Sequence, residues 1–131
     1  MEIRLVLGRV VWATVPDPQG RNPKSRRCVV ISDVDPSDPP NDVTVVYVTS
    51  SMNESYADEY VTLKHGPRCL TSFTKLSAAH CIGVYKLPVS EVTLHPGIVE
   101  PTFVEAIRHR IDALGSRVVV QVYPFAKDNS Q

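Results

Sequence analysis

Three runs of β-branched and aromatic residues dominate the first half of the chain: VVWATV at 10–15, CVVIS at 28–32 and VTVVYV at 43–48. Such side chains lose χ1 freedom in a helix and fit a pleated, half-buried surface, so all three read as strands. Each run is cut off sharply. PDPQG at 16–20 follows the first, DVDPSDPPND at 33–42 follows the second, and the hydroxyls Thr49, Ser50 and Ser51 end the third. The 28–32 run is apolar without alternation, which reads as a strand buried on both faces. Eleven prolines among 131 residues argue against a helix bundle.

Further along, YVTL at 60–63 reads as a short alternating strand. Segments 69–75 and 83–87 are weaker strand candidates, and RVVVQVY at 117–123 is a last one. One helix stands out near the end. Pro101 suits its first turn, Phe103, Ile107, Ile111 and Leu114 recur at helical spacing, and Gly115 offers a C-terminal cap. Arg108, His109, Arg110 and Asp112 take its other faces. Strands first and one late helix give a mainly β, α+β fold: a small, strongly curved antiparallel sheet or barrel with the helix on one side. The length suits one domain, assigned to 1–124, with 125–131 as a flexible tail and 38–41 as a mobile loop tip.

Fourteen basic and fourteen acidic side chains leave no net charge, so electrostatic attraction to a polyanion must come from local clustering. Cys28, Cys69 and Cys81 are odd in number and follow no framework spacing, which predicts reduced thiols in a cytoplasm. The first residues lack the apolar stretch and cleavage site of a signal peptide, and no run approaches the ~20 residues of a membrane span. His65 and Cys69, with adjacent His80 and Cys81, do not make four convergent zinc ligands, so neither metal nor cofactor is expected. Arg27 would activate a Cys28 nucleophile only at an exposed position, and this one reads as interior. No phosphate-binding loop, dinucleotide fingerprint or HExxH pair occurs.

Local clustering is what the chain does have. Arg21, Lys24, Arg26 and Arg27 crowd into GRNPKSRR at 20–27, read as flexible chain directly ahead of the buried 28–32 strand. If that strand and the 43–48 strand are antiparallel neighbours, the basic segment and Thr49–Ser51 meet at one end of the sheet. Arg26 or Arg27 would then face Thr49 and Ser51. A guanidinium fork beside hydroxyl donors suits a phosphate. With no metal ligands, the natural substrate is RNA, whose own 2′-hydroxyl can attack. From the residues alone a solvated loop with turn-forming hydroxyls is the favoured reading.

The order Gly8-Arg9-Val10-Val11-Trp12, then Arg27-Cys28-Val29-Val30-Ile31-Ser32, then Val46-Tyr47-Val48-Thr49-Ser50 resembles the MazF/PemK toxins. Segment 72–82 is similar to that family's D-Q strand and 94–114 to its C-terminal helix. The resemblance implies an SH3-like, PemK-like antiparallel barrel and a homodimer. It also implies a metal-independent, sequence-specific endoribonuclease that cuts single-stranded RNA at short sequences to a 2′,3′-cyclic phosphate and is silenced by a cognate antitoxin. Carried over by position, Arg27 is the catalytic arginine, acting as acid/base and phosphate clamp, and Thr49 the catalytic threonine. Ser50 and Ser51 would line the same cleft, Arg21, Lys24 and Arg26 would contact phosphates, and Lys75 would add a further phosphate contact. Three departures stand out. Cys28 replaces the usual proline, Arg9 replaces an acid, and Phe73-Thr74 or Thr74-Lys75 replaces D-Q, removing its carboxylate. That loss raises a second expectation, a module that binds RNA or a protein without cutting. A gyrase-poison role, tied to a particular C-terminal helix end, finds no signature in AKDNSQ.

Overall fold

The structure, a computed structural model, describes residues 3–35, 37–38 and 40–125. Strands β1 (Arg9–Val15), β2 (Lys24–Val30), β3 (Asp42–Thr49), β4 (Tyr60–Leu63), β5 (Ser77–Pro88) and β6 (Val92–Ile98) precede helix α1 (Pro101–Leu114), and β7 (Val119–Val122) follows it. They make one sheet in the order β4-β5-β3-β2-β1-β6, with β7 attached to β5. All pairings are antiparallel except the parallel β5–β7 pair. The path does not close on itself, so the barrel expected from the sequence is an open sheet of the same mainly β character.

The pleat explains why the apolar runs lack alternation. Successive residues point to opposite faces, and both faces are covered. Val10, Val29 and Val46 enter one buried cluster with Phe73 and with Val104, Ile107 and Leu114 of α1. Val11, Val15, Cys28, Val30, Val45 and Tyr85 form another. Each fully buried Val or Leu of this kind contributes about 1.5–3 kcal/mol. Helix α1 starts on Pro101 and ends at Gly115, whose φ of 56° only a glycine adopts without strain. Its Arg108 does not simply face water. It donates from Nε (2.8 Å) and Nη2 (2.6 Å) to the Ile31 carbonyl just past β2, and from Nη2 to Asp33 Oδ1 at 3.0 Å.

Several boundaries differ from those the sequence predicts. Strand β2 begins at Lys24 rather than Cys28, because the hairpin ladder with β1 runs from Val10↔Val29 to Val15↔Lys24. Backbone pairing to a partner strand overrides the polar composition of KSRR. Half of the supposedly flexible basic segment is therefore strand. The remaining loop is tied down, because the Asp17 carboxylate accepts the N–H groups of Gln19 (3.0 Å) and Arg21 (2.9 Å). Segment 69–75 is not a strand but a turn region, with Arg68 and Ser72 at positive φ. The 83–87 candidate is the second half of the 12-residue β5.

Strand β6 went unpredicted. Its HPG is a poor strand signal, and the family resemblance assigned 94–114 to helix. Pro96 is tolerated there because β6 is an edge strand. Asp38 of the expected mobile tip bridges back to Asp35, while Pro39 lies outside the described residues. Phe125, expected in the tail, packs edge-on to buried Tyr85 at 5.8 Å, and 126–131 lie outside the described residues.

Segment 64–76 is held against β6 where the Ile98 N–H reaches the Leu70 carbonyl at 2.9 Å. A Cβ at Gly97 would lie 2.0 Å from the Thr71 carbonyl oxygen. Gly97→Ala therefore forces backbone apart and is expected to cost at least 1–3 kcal/mol, roughly the overpacking range, read as a lower urea midpoint.

Near the opposite edge, buried Glu59 bonds His80 Nε2 at 2.9 Å and Arg117 Nη2 at 2.7 Å. Burial alone would raise its carboxyl pKa, but those two partners outweigh it and hold the group below the usual range. Its contribution to stability is thus complete above the unfolded value of about 4.3 and is lost as pH falls through the lower folded value. Denaturation midpoints measured from pH 7 down to pH 3 should fall less steeply at the acid end in Glu59→Gln than in the parent chain.

Candidate active site

Strands β2 and β3 pair only from Cys28↔Tyr47 to Val30↔Val45. Beyond Cys28, β2 continues on β1 alone, and beyond Tyr47, β3 continues on β5 alone. The two strands therefore fork, and the fork holds a cleft of about 260 Å³. Lys24, Ser25, Arg26 and Arg27 line one side, Tyr47 and Thr49 with Ser50 and Ser51 line the other, and Trp12 completes it. The antiparallel neighbourhood expected from the sequence brings six of its eight nominated residues together. The other two lie elsewhere. Arg21 sits in the tied hairpin loop and Lys75 is exposed in the 64–76 segment, and neither lines the cleft.

Adjacent Arg26 and Arg27 have opposite situations. Arg26 is 9% exposed and engaged at all three guanidinium nitrogens. Its Nε donates to the Val15 carbonyl at 3.0 Å, its Nη1 to the Tyr47 hydroxyl at 3.1 Å and its Nη2 to the Asn22 carbonyl. It braces the β1–β2 turn rather than standing free at the rim, as the sequence reading had it. Tyr85 adds to that brace, its buried hydroxyl donating to the Pro16 carbonyl at 2.6 Å.

Arg27 is half-buried, pairs across the hairpin with Trp12, and lies with its guanidinium carbon 4.7 Å from the centre of the Phe73 ring. That stacking orients the fork without using its donors. Among the described residues no hydrogen bond or ion pair occupies the Arg27 guanidinium. Burial pulls its pKa below the ordinary arginine value, against the opposing field of the Tyr47 phenol. None of the residues lining the cleft is acidic, so three cations share it uncompensated.

Thr49 ends β3 and is 9% exposed. Its Oγ1 accepts the Ser51 N–H at 3.0 Å and donates to the Ser51 carbonyl at 3.3 Å, so a local turn fixes the hydroxyl. Ser50 and Ser51 are exposed beside it. Cys28 is fully buried and its thiol is pushed up to about 12, so it is no nucleophile at neutral pH.

Several contributors were not nominated from the sequence. Phe73 is the platform under Arg27, standing where one alignment puts the missing D-Q pair. His95 lies 6.4 Å from Phe73 and 5.8 Å from Trp12, ring centre to ring centre. Its Nδ1 accepts the Gly97 N–H at 2.8 Å, which leaves the proton of the neutral ring on Nε2. Burial, then the charges of Arg27 and Arg9, hold its pKa below the usual value. Trp12 was legible in principle, since a hairpin that pairs Val15 with Lys24 pairs Trp12 with Arg27. His95 sits on the unpredicted β6 and gave no local signal.

A family model described as PemK-like, MazF-like toxin of type II toxin-antitoxin system matches residues 7–114. A search of curated proteins gave no match. Among solved structures, an endoribonuclease in complex with its cognate antitoxin from a mycobacterial species is similar at 17% identity and TM-score 0.61, covering 86% of this chain and 96% of that one. The Mycobacterium tuberculosis toxin MazF-mt6 is similar at 15% identity and TM-score 0.59, over 80% and 94%. The MazE–MazF structure (Form-II) from Deinococcus radiodurans is similar at 16% identity and TM-score 0.59, over 88% and 98%. At such identities the structural likeness speaks to the fold, which agrees with the sheet and helix described above. With the family model spanning everything from the turn before β1 to the last residue of α1, the chain belongs to the PemK-like, MazF-like toxins of type II toxin–antitoxin systems.

Proposed function

We propose that this chain, as a single domain over residues 1–124, cleaves single-stranded RNA without a metal ion as the toxin of its system. The observation that carries this reading is Arg27: a guanidinium with no hydrogen-bond partner among the described residues, held over Phe73 and opening onto the cleft of Thr49, Ser50 and Ser51. In the reaction the 2′-oxygen forms a bond to the neighbouring phosphorus and the bond to the 5′-oxygen breaks. A 2′,3′-cyclic phosphate and a free 5′-hydroxyl result. One proton leaves the 2′-hydroxyl and one reaches the departing 5′-oxygen.

Arg27 clamps the non-bridging oxygens, whose negative charge grows in the phosphorane, and takes part in the proton transfers. Its lowered pKa favours the second role. Thr49 donates its hydroxyl to the same oxygens by exchanging the long 3.3 Å bond to the Ser51 carbonyl. Lys24, Ser50 and Ser51 contact flanking phosphates, and Arg21 and Lys75 add weaker contacts from outside the cleft. Arg26 acts by positioning, since it keeps the turn and Tyr47 in place.

Two of the similar structures are toxin–antitoxin complexes. We extend this to the present chain: a cognate antitoxin covers the basic cleft with an acidic segment, and the toxin acts as a homodimer in the cytoplasm.

A second reading, binding without cleavage, is favoured by one feature: Arg27 faces the ring of Phe73, where one of the two alignments with the family puts its D-Q carboxylate. Incubation with a long single-stranded RNA decides between the two. Discrete fragments unaffected by EDTA are expected, with the rate lowered about 10²-fold in Thr49→Ala and about 10³-fold in Arg27→Ala. RNA that stays intact while bound by the parent chain would establish the second reading.

A further inference from the structure

Across β2, β1 and β6 one row of the sheet reads Arg27, Trp12, Thr93, since Trp12 pairs with both of the others. Side chains two apart on a strand share a face, so His95 stands on the same face as Arg27, one step further along β6. Phe73 joins the two. Its buried ring carries the Arg27 guanidinium at 4.7 Å and has the His95 ring centre 6.4 Å away. Trp12, which lines the cleft, lies 5.8 Å from His95, ring centre to ring centre. His95 thus borders the Arg27 side of the cleft without entering its fork.

What these two groups offer is one-sided. The His95 Nδ1 is spent on the Gly97 N–H at 2.8 Å, so the neutral ring carries its proton on Nε2. That N–H has no partner among the described residues, and neither has the Arg27 guanidinium. The next cation, Arg9, is occupied. It donates to the carbonyls of Arg4 at 2.8 Å, Pro96 at 3.0 Å and Gly97 at 3.3 Å, and so holds the backbone that aims His95. The charges that act on the His95 ring are those of Arg27 and Arg9, both positive. Protonation would also set an Nδ1–H against the Gly97 N–H, so the ring works as a neutral donor. Donors without an acceptor suit a ligand made of acceptors, and a phosphate is such a ligand.

We propose that His95 is a further catalytic residue, whose Nε2–H donates to a non-bridging oxygen of the phosphate that Arg27 clamps. The bond strengthens as negative charge grows on that oxygen in the phosphorane, and no proton leaves the ring. Proton transfer stays with Arg27. Because the donor takes the place of a water molecule, it changes the rate more than the affinity. The proposal rests on the ribonuclease reading above.

Two substitutions separate the nitrogens of the ring. His95→Asn keeps an acceptor near the Nδ1 position for the Gly97 N–H and loses the donor at Nε2, whereas His95→Gln keeps a donor near Nε2 and loses that acceptor. Single-turnover cleavage of a long single-stranded RNA at saturating protein should be about 10²-fold slower in His95→Asn, with the urea midpoint unchanged. Its affinity for a short single-stranded DNA, which has phosphates but no 2′-hydroxyl to attack them, should stay within about 3-fold of the parent. His95→Gln should recover the rate to within about 10-fold of the parent despite a lower urea midpoint. In spectra of the parent chain labelled with ¹⁵N-histidine, the same DNA should move the His95 Nε2–H proton downfield. RNA cut equally fast by His95→Asn overturns the proposal and leaves the nuclease standing, and so do rates that fall only in step with the urea midpoints. RNA uncut by the parent, with the Nε2–H signal moved by DNA, overturns the nuclease and keeps His95 as a donor to phosphate. RNA uncut with that signal unmoved overturns both.

Discussion

The pleat of β2 is the constraint on which the rest of the site depends. Cys28, Val29 and Val30 are completely buried and enter clusters on alternate faces of the sheet, so the strand cannot rotate about its axis. Alternation then carries outward from the core into the charged half of the same strand. Arg26 follows Cys28 to the Tyr47 side and is consumed by structure. Arg27 follows Val29 to the Phe73 side and is left with its donors free. Two identical, adjacent side chains receive different work from the parity of their positions.

The fork between β2 and β3 turns that parity into a site. Pairing stops where two chains must separate to reach different neighbours, β1 and β5, and the backbone leaves a recess there. The recess gathers cations without acids, although the chain as a whole carries no net charge. Carboxylates are engaged elsewhere: Asp58 and Glu59 with Arg117, Asp33 with Arg108, and Glu100 with Lys64. A locally positive surface on a neutral protein thus comes from how the acids are distributed rather than from an excess of bases.

What the sequence made legible were the features that depend on neighbours along the chain. The β-branched runs, the breaker loops, the helix with Pro101 and Gly115 at its ends, and the convergence of the basic segment on Thr49 all rest on local pattern plus one hairpin. What escaped depends on partners far along the chain. KSRR becomes strand only because β1 pairs with it, and VTLHPGI becomes strand only as the outer neighbour of β1. Arg26 looks free until the carbonyls of Val15 and Asn22 are seen to close on it. Phe73, in a segment misread as a strand, becomes the support of Arg27 through a turn region whose course no periodicity announces.

The bond from Arg108 to the Ile31 carbonyl has a consequence for the opposite end of β2. It ties the strand's exit to the C-terminal helix, while the Arg26 brace and the Asp17 turn tie its entrance. A strand fastened at both ends cannot slip along its neighbours. A slip of one residue would carry Arg27 into the buried position and Arg26 out over the aromatic ring, and every valine behind them would change face as well. The helix therefore acts at a distance as a stop on the strand. The ties at the two ends of β2, with the buried residues between them, keep the free guanidinium the free one.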